Sequence, residues 1–291
     1  MASIKEIKNQ IISVMNTKKI TKAMEMVAVS KMRKTEERMS SGRPYSKIIK
    51  KVINHLVQGH LEYKHDYLEN RETQRVGIII VSTDRGLCGS LNSNLFRKVL
   101  FKIQNFTKNN IPCDLVLFGL KSLSVFKLCG SNILSTITNL GENPNILKLI
   151  NSVNIILEEY RIKRIDKIFI AYNEFHNKMS QYPKINQLLP LSRIKSETMS
   201  TNKRWDYLYE PESKLIIDTL FKRYIESQVY QSILENIASE QAARMIAMKT
   251  ANDNSADRIK ELQLFYNKVR QANITQELTE IVVGASAVST S

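Results

Sequence analysis

Proline and glycine are scarce. Six prolines and nine glycines in 291 residues leave long intervals with no helix breaker. No glycine precedes Gly42 and no proline precedes Pro44, and between Pro211 and Gly284 there is neither. Cysteine is also rare. Cys88, Cys113 and Cys129 make an odd count with no CxxC, which excludes a disulfide framework and a cysteine zinc site and suits a reducing compartment. No apolar run approaches the ~18 residues of a membrane span. MASIKEIKNQIISVMN, at the start, has no continuous apolar stretch and little arginine, so neither a secretory signal nor a transit peptide is expected. The acidic residues show no metal-ligand clustering, no Ser/His/Asp signature appears, and the four histidines (His55, His60, His65, His176) lie in no recognisable catalytic context.

What is abundant is positive charge. Lys and Arg number 43 against 28 Asp and Glu, a net charge of +15. Residues 1–57 hold 13 of the basic and 4 of the acidic residues, so +9 of the excess lies in the first fifth. Nucleic acid, an anionic membrane surface and an acidic protein partner are the classes such a balance admits. The basic residues share their segment with an apolar stripe, and no aromatic residue interleaves them before Tyr45, which favours the protein partner.

The apolar spacing divides the chain into three parts. Ile4, Ile7, Ile11 and Val14, then Ile20, Ala23, Met24, Val27 and Met32, predict one long amphipathic helix over residues 1–57. Forty to 57 helical residues would reach roughly 60–85 Å. Residues 75–200 change period. VGIIIVST (76–83), CDLVLFG (113–119) and DKIFIAYNEF (166–175) read as strands, and YPKINQLLPL (182–191) as an antiparallel edge. Helices are expected over 92–108, 120–128 and 144–162, giving a small, mostly parallel α/β domain of Rossmann-like type; 192–206 reads as a loop. Residues 207–287 predict a second long helix, in which Leu262, Phe265, Val269 and Ala272 step by three and four. Neither long helix can bury its stripe alone, so the two are expected to wind together as an antiparallel coiled coil beside the α/β domain. Ala238, Ala242 and Ala243 would permit close approach.

VSTDRGLCGSLN (81–92) follows the first strand and raises a question of chemistry. A P-loop needs GxxxxGK[ST]; here Gly86 and Gly89 are two residues too close and no Lys-Ser/Thr follows. GxGxxG is absent too. Cys88 as a nucleophile would need a base and an orienting group that the sequence does not identify, although Arg85 could lower a nearby thiol pKa. The loop reads as a tight turn without catalysis. An α/β enzyme using Cys88 and a basic coiled-coil scaffold for nucleic acid are the alternative readings.

KITKAMEMVAVSKMRK (19–34), STDRGLCGSLN (82–92), and SEQAARMIAMKTANDN with IKELQLFYNKVRQANITQELTEIVVGA (239–285) resemble the gamma subunit of bacterial F-type ATP synthases. The likeness runs in the same order over nearly the whole chain. It implies a central rotor shaft, one copy per complex, inside a ring of three alpha and three beta subunits. The shaft would stand on the membrane rotor ring of c subunits and hold the epsilon subunit. It would couple proton flow to ATP synthesis or hydrolysis on the beta subunits, with no catalytic residue, cofactor or metal of its own and no nucleic acid partner. The complex would lie at the cytoplasmic face of a bacterial plasma membrane, with this chain attached through its partners. The resemblance places Met24, Arg85, Cys88, Arg244, Arg270, Gln271, Thr275 and Glu277 at the contacts between shaft and ring, Cys88 facing a beta subunit. It places Tyr207, Tyr209 and Glu210 in a foot at the rotor ring. Ser90 departs from the family, which usually has a second glycine there; that restricts the local backbone. No cysteine-bearing insertion of the chloroplast kind is present.

Overall fold

A computed structural model describes residues 4–58, 65–141, 143–144, 146–191 and 213–289. Two helices dominate: α1 (Ile4–Gln58) and α5 (Ser213–Ser289). Between them lie β1 (Val76–Val81), α2 (Leu91–Lys108), β2 (Cys113–Phe118), α3 (Leu120–Phe126), β3 (Asn132–Ile137), α4 (Ile146–Arg161), β4 (Lys167–Phe175) and β5 (Gln181–Leu189). The predicted strands and helices are present. β3 is an addition, because NILSTI is a half-exposed edge strand whose Asn, Ser and Thr dilute the apolar pattern. Tyr207, Tyr209 and Glu210, and the 192–206 loop, lie outside the described residues.

The chain forms two compact units, residues 1–28 with 245–291, and residues 29–244. The second contains a five-stranded sheet of order β3-β2-β1-β4-β5, parallel except for β5, which runs antiparallel to β4. β1 is buried at every position because both sheet faces are covered. On one face Val76, Ile78 and Ile80 pack with α2 (Leu95, Val99) and with Phe126 of α3. On the other, Ile79 and Val81 pack with α4 (Val153, Ile156, Tyr160) and with both long helices: Ile49 and Ile53 of α1, Phe221, Ile225 and Ile233 of α5. The two-residue alternation of strand side chains thus sorts β1 between two cores.

Within this unit the long helices run antiparallel. Gln228 Nε2 donates to Ser46 Oγ at 2.8 Å, and Arg43 faces Glu235 at 3.9 Å, so the numbering of one helix falls as the other rises. A Cβ at Gly42 would lie 2.9 Å from Gln231 Oε1, which is why glycine is accommodated inside a helix there. α1 also continues through Pro44.

In the other unit, the buried and half-buried positions of α1 include Ile7, Ile11, Val14, Lys18, Thr21, Glu25 and Ala28, alternating steps of four and three. On α5 they include Met245, Met248, Asn252, Ser255, Ile259, Leu262, Tyr266 and Val269, again by three and four. This is a heptad seam. It corrects the expected stripe: Ile20 (60% exposed), Val27 and Phe265 point outward, and the seam passes through Thr21, Ala28 and Tyr266 instead.

Candidate functional site

Doubly wound sheets bind ligands at the carboxyl ends of their strands, where the strand order reverses. Here that point lies between β1 and β4. The loop leaving β1 begins there, but the crevice is filled by the chain's own α5. Asn236 is 1% exposed; its Nδ2 donates to the Ser82 carbonyl at 3.3 Å and its Oδ1 accepts from Asn173 Nδ2 at 2.9 Å. A nucleotide would have to displace a helix.

The loop is held by its own polar groups. Asn92 Nδ2 donates to Thr83 Oγ1 at 2.7 Å, and Thr83 Oγ1 donates to the Arg85 carbonyl at 2.7 Å. The Asp84 carboxylate accepts three backbone N–H groups, from Leu120 (3.0 Å), Asn139 (3.0 Å) and Leu140 (2.7 Å). It thereby ties the loop to the start of α3 and to the turn after β3. Gly119 completes the close approach: its φ is +94°, and a Cβ there would lie 2.6 Å from the Ser82 carbonyl oxygen.

Gly89 has φ 61°, which glycine adopts without steric cost. Ser90 has φ −87°, an ordinary value, so the serine in place of a second glycine distorts nothing. Leu87 is the unusual residue. It has φ 63° and is 60% exposed, a bulky side chain held outward by backbone that L-residues disfavour. Strain of this kind, about 1–3 kcal/mol, concentrates at functional contacts.

Cys88 lies beneath this tip and is 3% exposed. Burial, and then the charge of Glu240, pushes its thiol up, while Asn92 Nδ2 approaches the sulfur at 3.5 Å. A thiol so placed is a poor nucleophile. The two histidines whose side chains are described are engaged elsewhere, His65 with Asp218 at 3.0 Å and His176 edge-on to Tyr182. Cys88 is thus covered by the chain itself, and Leu87 and the exposed Arg85 are outward groups of the loop.

Arg244 clamps the loop to α5. It pairs with Glu240 at 2.6 Å, donates to Gln241 Oε1 at 3.3 Å and to the Gly86 carbonyl at 3.2 Å. Burial raises the Glu240 pKa, and the Arg244 charge opposes that rise. Arg85, Cys88 and Arg244 are thus brought together in one region. The remaining sequence candidates belong to the other unit. Met24 is half-buried beside the seam, and Arg270, Gln271, Thr275 and Glu277 are exposed on α5. All described side chains from 270 to 285 are exposed, Ile274, Leu278, Ile281, Val282 and Val283 among them.

Sequence reasoning missed Asp84, Leu87, Asn173, Asn236, Ser239 and Glu240. The i,i+4 spacing of Glu240 and Arg244 was a readable signal. The meeting of Asn236 with Asn173 was not, since it joins residues far apart in the chain.

A family model described as ATP synthase matches residues 3–288. The chain is 83% identical over 290 residues to the ATP synthase gamma chain of Buchnera aphidicola subsp. Diuraphis noxia, covering 100% of both. It is 79% identical over 289 residues to that of Buchnera aphidicola subsp. Acyrthosiphon pisum (strain Tuc7), covering 99% of each. Among solved structures it is similar to a chain of the Euglena gracilis mitochondrial ATP synthase rotor, with TM-score 0.66 and 21% identity over 93% of this chain and 98% of that one. A chain of the Tetrahymena thermophila mitochondrial ATP synthase central stalk and c-ring gives TM-score 0.57 and 25% identity, over 80% and 99%. With a family match along almost its whole length and full-length relatives this similar, the chain belongs to the ATP synthase family, among its gamma chains.

Proposed function

We propose that the chain is the central rotor shaft of a proton-translocating F-type ATP synthase. Its coiled coil turns inside a ring of alpha and beta subunits, and its foot rests on the membrane rotor ring and epsilon. Proton flow turns the shaft, whose asymmetric surface takes the beta sites through their conformations in sequence; ATP hydrolysis drives the reverse. The shaft contributes no catalytic residue. Residues 1–57, 75–200 and 207–287 act as its first helix, its α/β base and its second helix. One copy serves each complex, at the cytoplasmic face of a bacterial plasma membrane, held there by partners rather than by a span of its own. Among the described residues no helix is long and apolar enough to cross a membrane.

One observation carries this reading. α5 continues beyond its last seam position, Val269, as a helix exposed on every described side yet rich in Ile, Leu and Val. α1 likewise turns Ile12, Ile20, Met26 and Val27 outward. Apolar surface on this scale marks a partner interface. A collar of other subunits would cover it.

Arg270, Gln271, Thr275, Glu277 and Met24 are the proposed contacts along the shaft. Arg85, Cys88 and Arg244 form a second contact around the loop, with Leu87 at the tip, Cys88 supporting it from beneath and Arg244 setting its position. Tyr207, Tyr209 and Glu210 belong to the foot. The basic run Lys31, Arg33 and Lys34 meets an acidic surface of the ring, steering without locking. Neutralising all three is expected to lower coupled ATPase; unchanged torque and coupling would remove the electrostatic part.

ATPase activity of purified alpha and beta subunits, with and without the chain, tests the whole proposal. Rapid hydrolysis only with the chain present, in a complex holding one copy, is expected. A chain that neither joins the complex nor changes its activity would overturn the reading in favour of the basic scaffold.

A further inference from the structure

β1 and β4 pair only as far as Ile80 and Ala171, yet β4 continues to Phe175. Beyond that point the ladder has lost a strand on the β1 side. Buried backbone groups need partners, and at Asn173 they come from α5. The Asn173 N–H donates to Asn236 Oδ1 at 3.4 Å, and its carbonyl accepts from Ser239 Oγ at 3.1 Å. The Asn173 side chain reinforces this through Nδ2 to Asn236 Oδ1 at 2.9 Å, while Asn236 Nδ2 reaches the Ser82 carbonyl at 3.3 Å. Asn173, Asn236 and Ser239 are each 0–1% exposed. Side chains of α5 thus stand in for the missing strand. They are surrounded by non-directional apolar contacts, Ile233 and Ile237 on α5 among them. The hydrophobic driving force is non-directional, whereas buried hydrogen bonds are satisfied in one register only.

We propose that Asn236 and Ser239 lock the register of α5 against the sheet, so that the α/β domain and the long helix turn as one part under load. Both are positioning residues. The inference rests on the rotor reading and adds to it a specific place where torque passes from the base to the shaft. The cost of the arrangement is visible: Asn173 Oδ1 is buried with no donor among the described residues.

The test uses the whole membrane-bound complex. Asn236→Ala and Ser239→Ala are compared with Val99→Ala, a cavity on the opposite face of the sheet, 0% exposed in α2. Three quantities are read: ATP hydrolysis, ATP-driven proton pumping into vesicles, and the amount of the chain per complex. Hydrolysis should stay within about twofold of the native complex while pumping per ATP falls about threefold or more for Asn236→Ala and less for Ser239→Ala. Val99→Ala should leave the ratio unchanged. An unaltered ratio in an intact complex would overturn the lock, and so would an equal fall in Val99→Ala. If Asn236→Ala fails to assemble, Ser239→Ala decides. The native complex, with and without the chain, separates the two ideas. Coupling that does not need the chain defeats the rotor reading, whereas native coupling matched by the variants defeats only the lock.

Discussion

The two compact units are built from the same two helices and use their apolar residues in opposite ways. In residues 29–244, large apolar side chains turn inward: Ile49, Ile53, Phe221 and Ile233 join Ile79 and Tyr160 in one core. In residues 1–28 with 245–291, the seam includes Thr21, Asn252 and Ser255, while Ile12, Ile20, Met26, Val27 and Phe265 face out. The 29–244 unit has a packed core of its own, although Leu87, Phe101, Leu128 and Met179 stay exposed; the other unit turns many of its large apolar side chains outward from a partly polar seam.

Several substitutions would break or sharpen this contrast. Leu95→Ala, in the self-contained unit, removes a side chain that is 0% exposed and should cost about 2–5 kcal/mol in denaturant unfolding of the purified chain. A near-zero cost would mean the base is not the packed unit described. Asp84→Ala leaves three backbone N–H groups without their acceptor and should cost about 1–3 kcal/mol, with faster amide exchange at Leu120, Asn139 and Leu140.

Thiol labelling draws the contrast at single residues. Cys129 is exposed while Cys88 and Cys113 are buried, so Cys129 should react first and the other two only on unfolding. Burial, then the Asp114 charge, pushes the Cys113 thiol from 9.0 to about 11. In the folded chain it therefore stays protonated over a range where the unfolded thiol has ionised. Its contribution to stability is full below pH 9.0 and falls as pH rises from there through about 11. A Cys113→Ala variant should flatten that part of the stability curve. The smallest effect on folding belongs to the outward residues. Ile20→Ser with Val27→Ser should change the stability of the isolated chain by no more than about 0.5 kcal/mol per site. The same pair should reduce incorporation into the complex; an unchanged yield would deny these residues their role.

The sheet was legible because VGIIIV is an uninterrupted apolar run and CDLVLF is interrupted only by Asp114, which pairs with Arg75; burial on both faces favours such runs. The two long helices followed from missing breakers; α1 continues through Gly42, where a Cβ would meet Gln231, and through Pro44. The seam near Thr21 was misread for a physical reason. Hydrophobic periodicity locates the most apolar face of a helix, and here part of that face, Ile20 and Val27, is exposed. In the structure α5 lies against the loop's first residue, through Asn236 and Ser82, and the Cys88 thiol is buried. The loop's clamp was hidden: Arg244 to Gly86 and Asn236 to Ser82 are contacts across more than half the chain, and local pattern carries no trace of them.

The central claim is that this chain turns. Cys129, exposed on the α/β base and the sole exposed cysteine of the three, offers a natural attachment point. With the alpha and beta subunits anchored and a bead fixed to Cys129, addition of ATP should drive unidirectional, stepwise rotation that stops when ATP is withdrawn. A bead that stays still while the same complexes hydrolyse ATP at full rate would contradict the account.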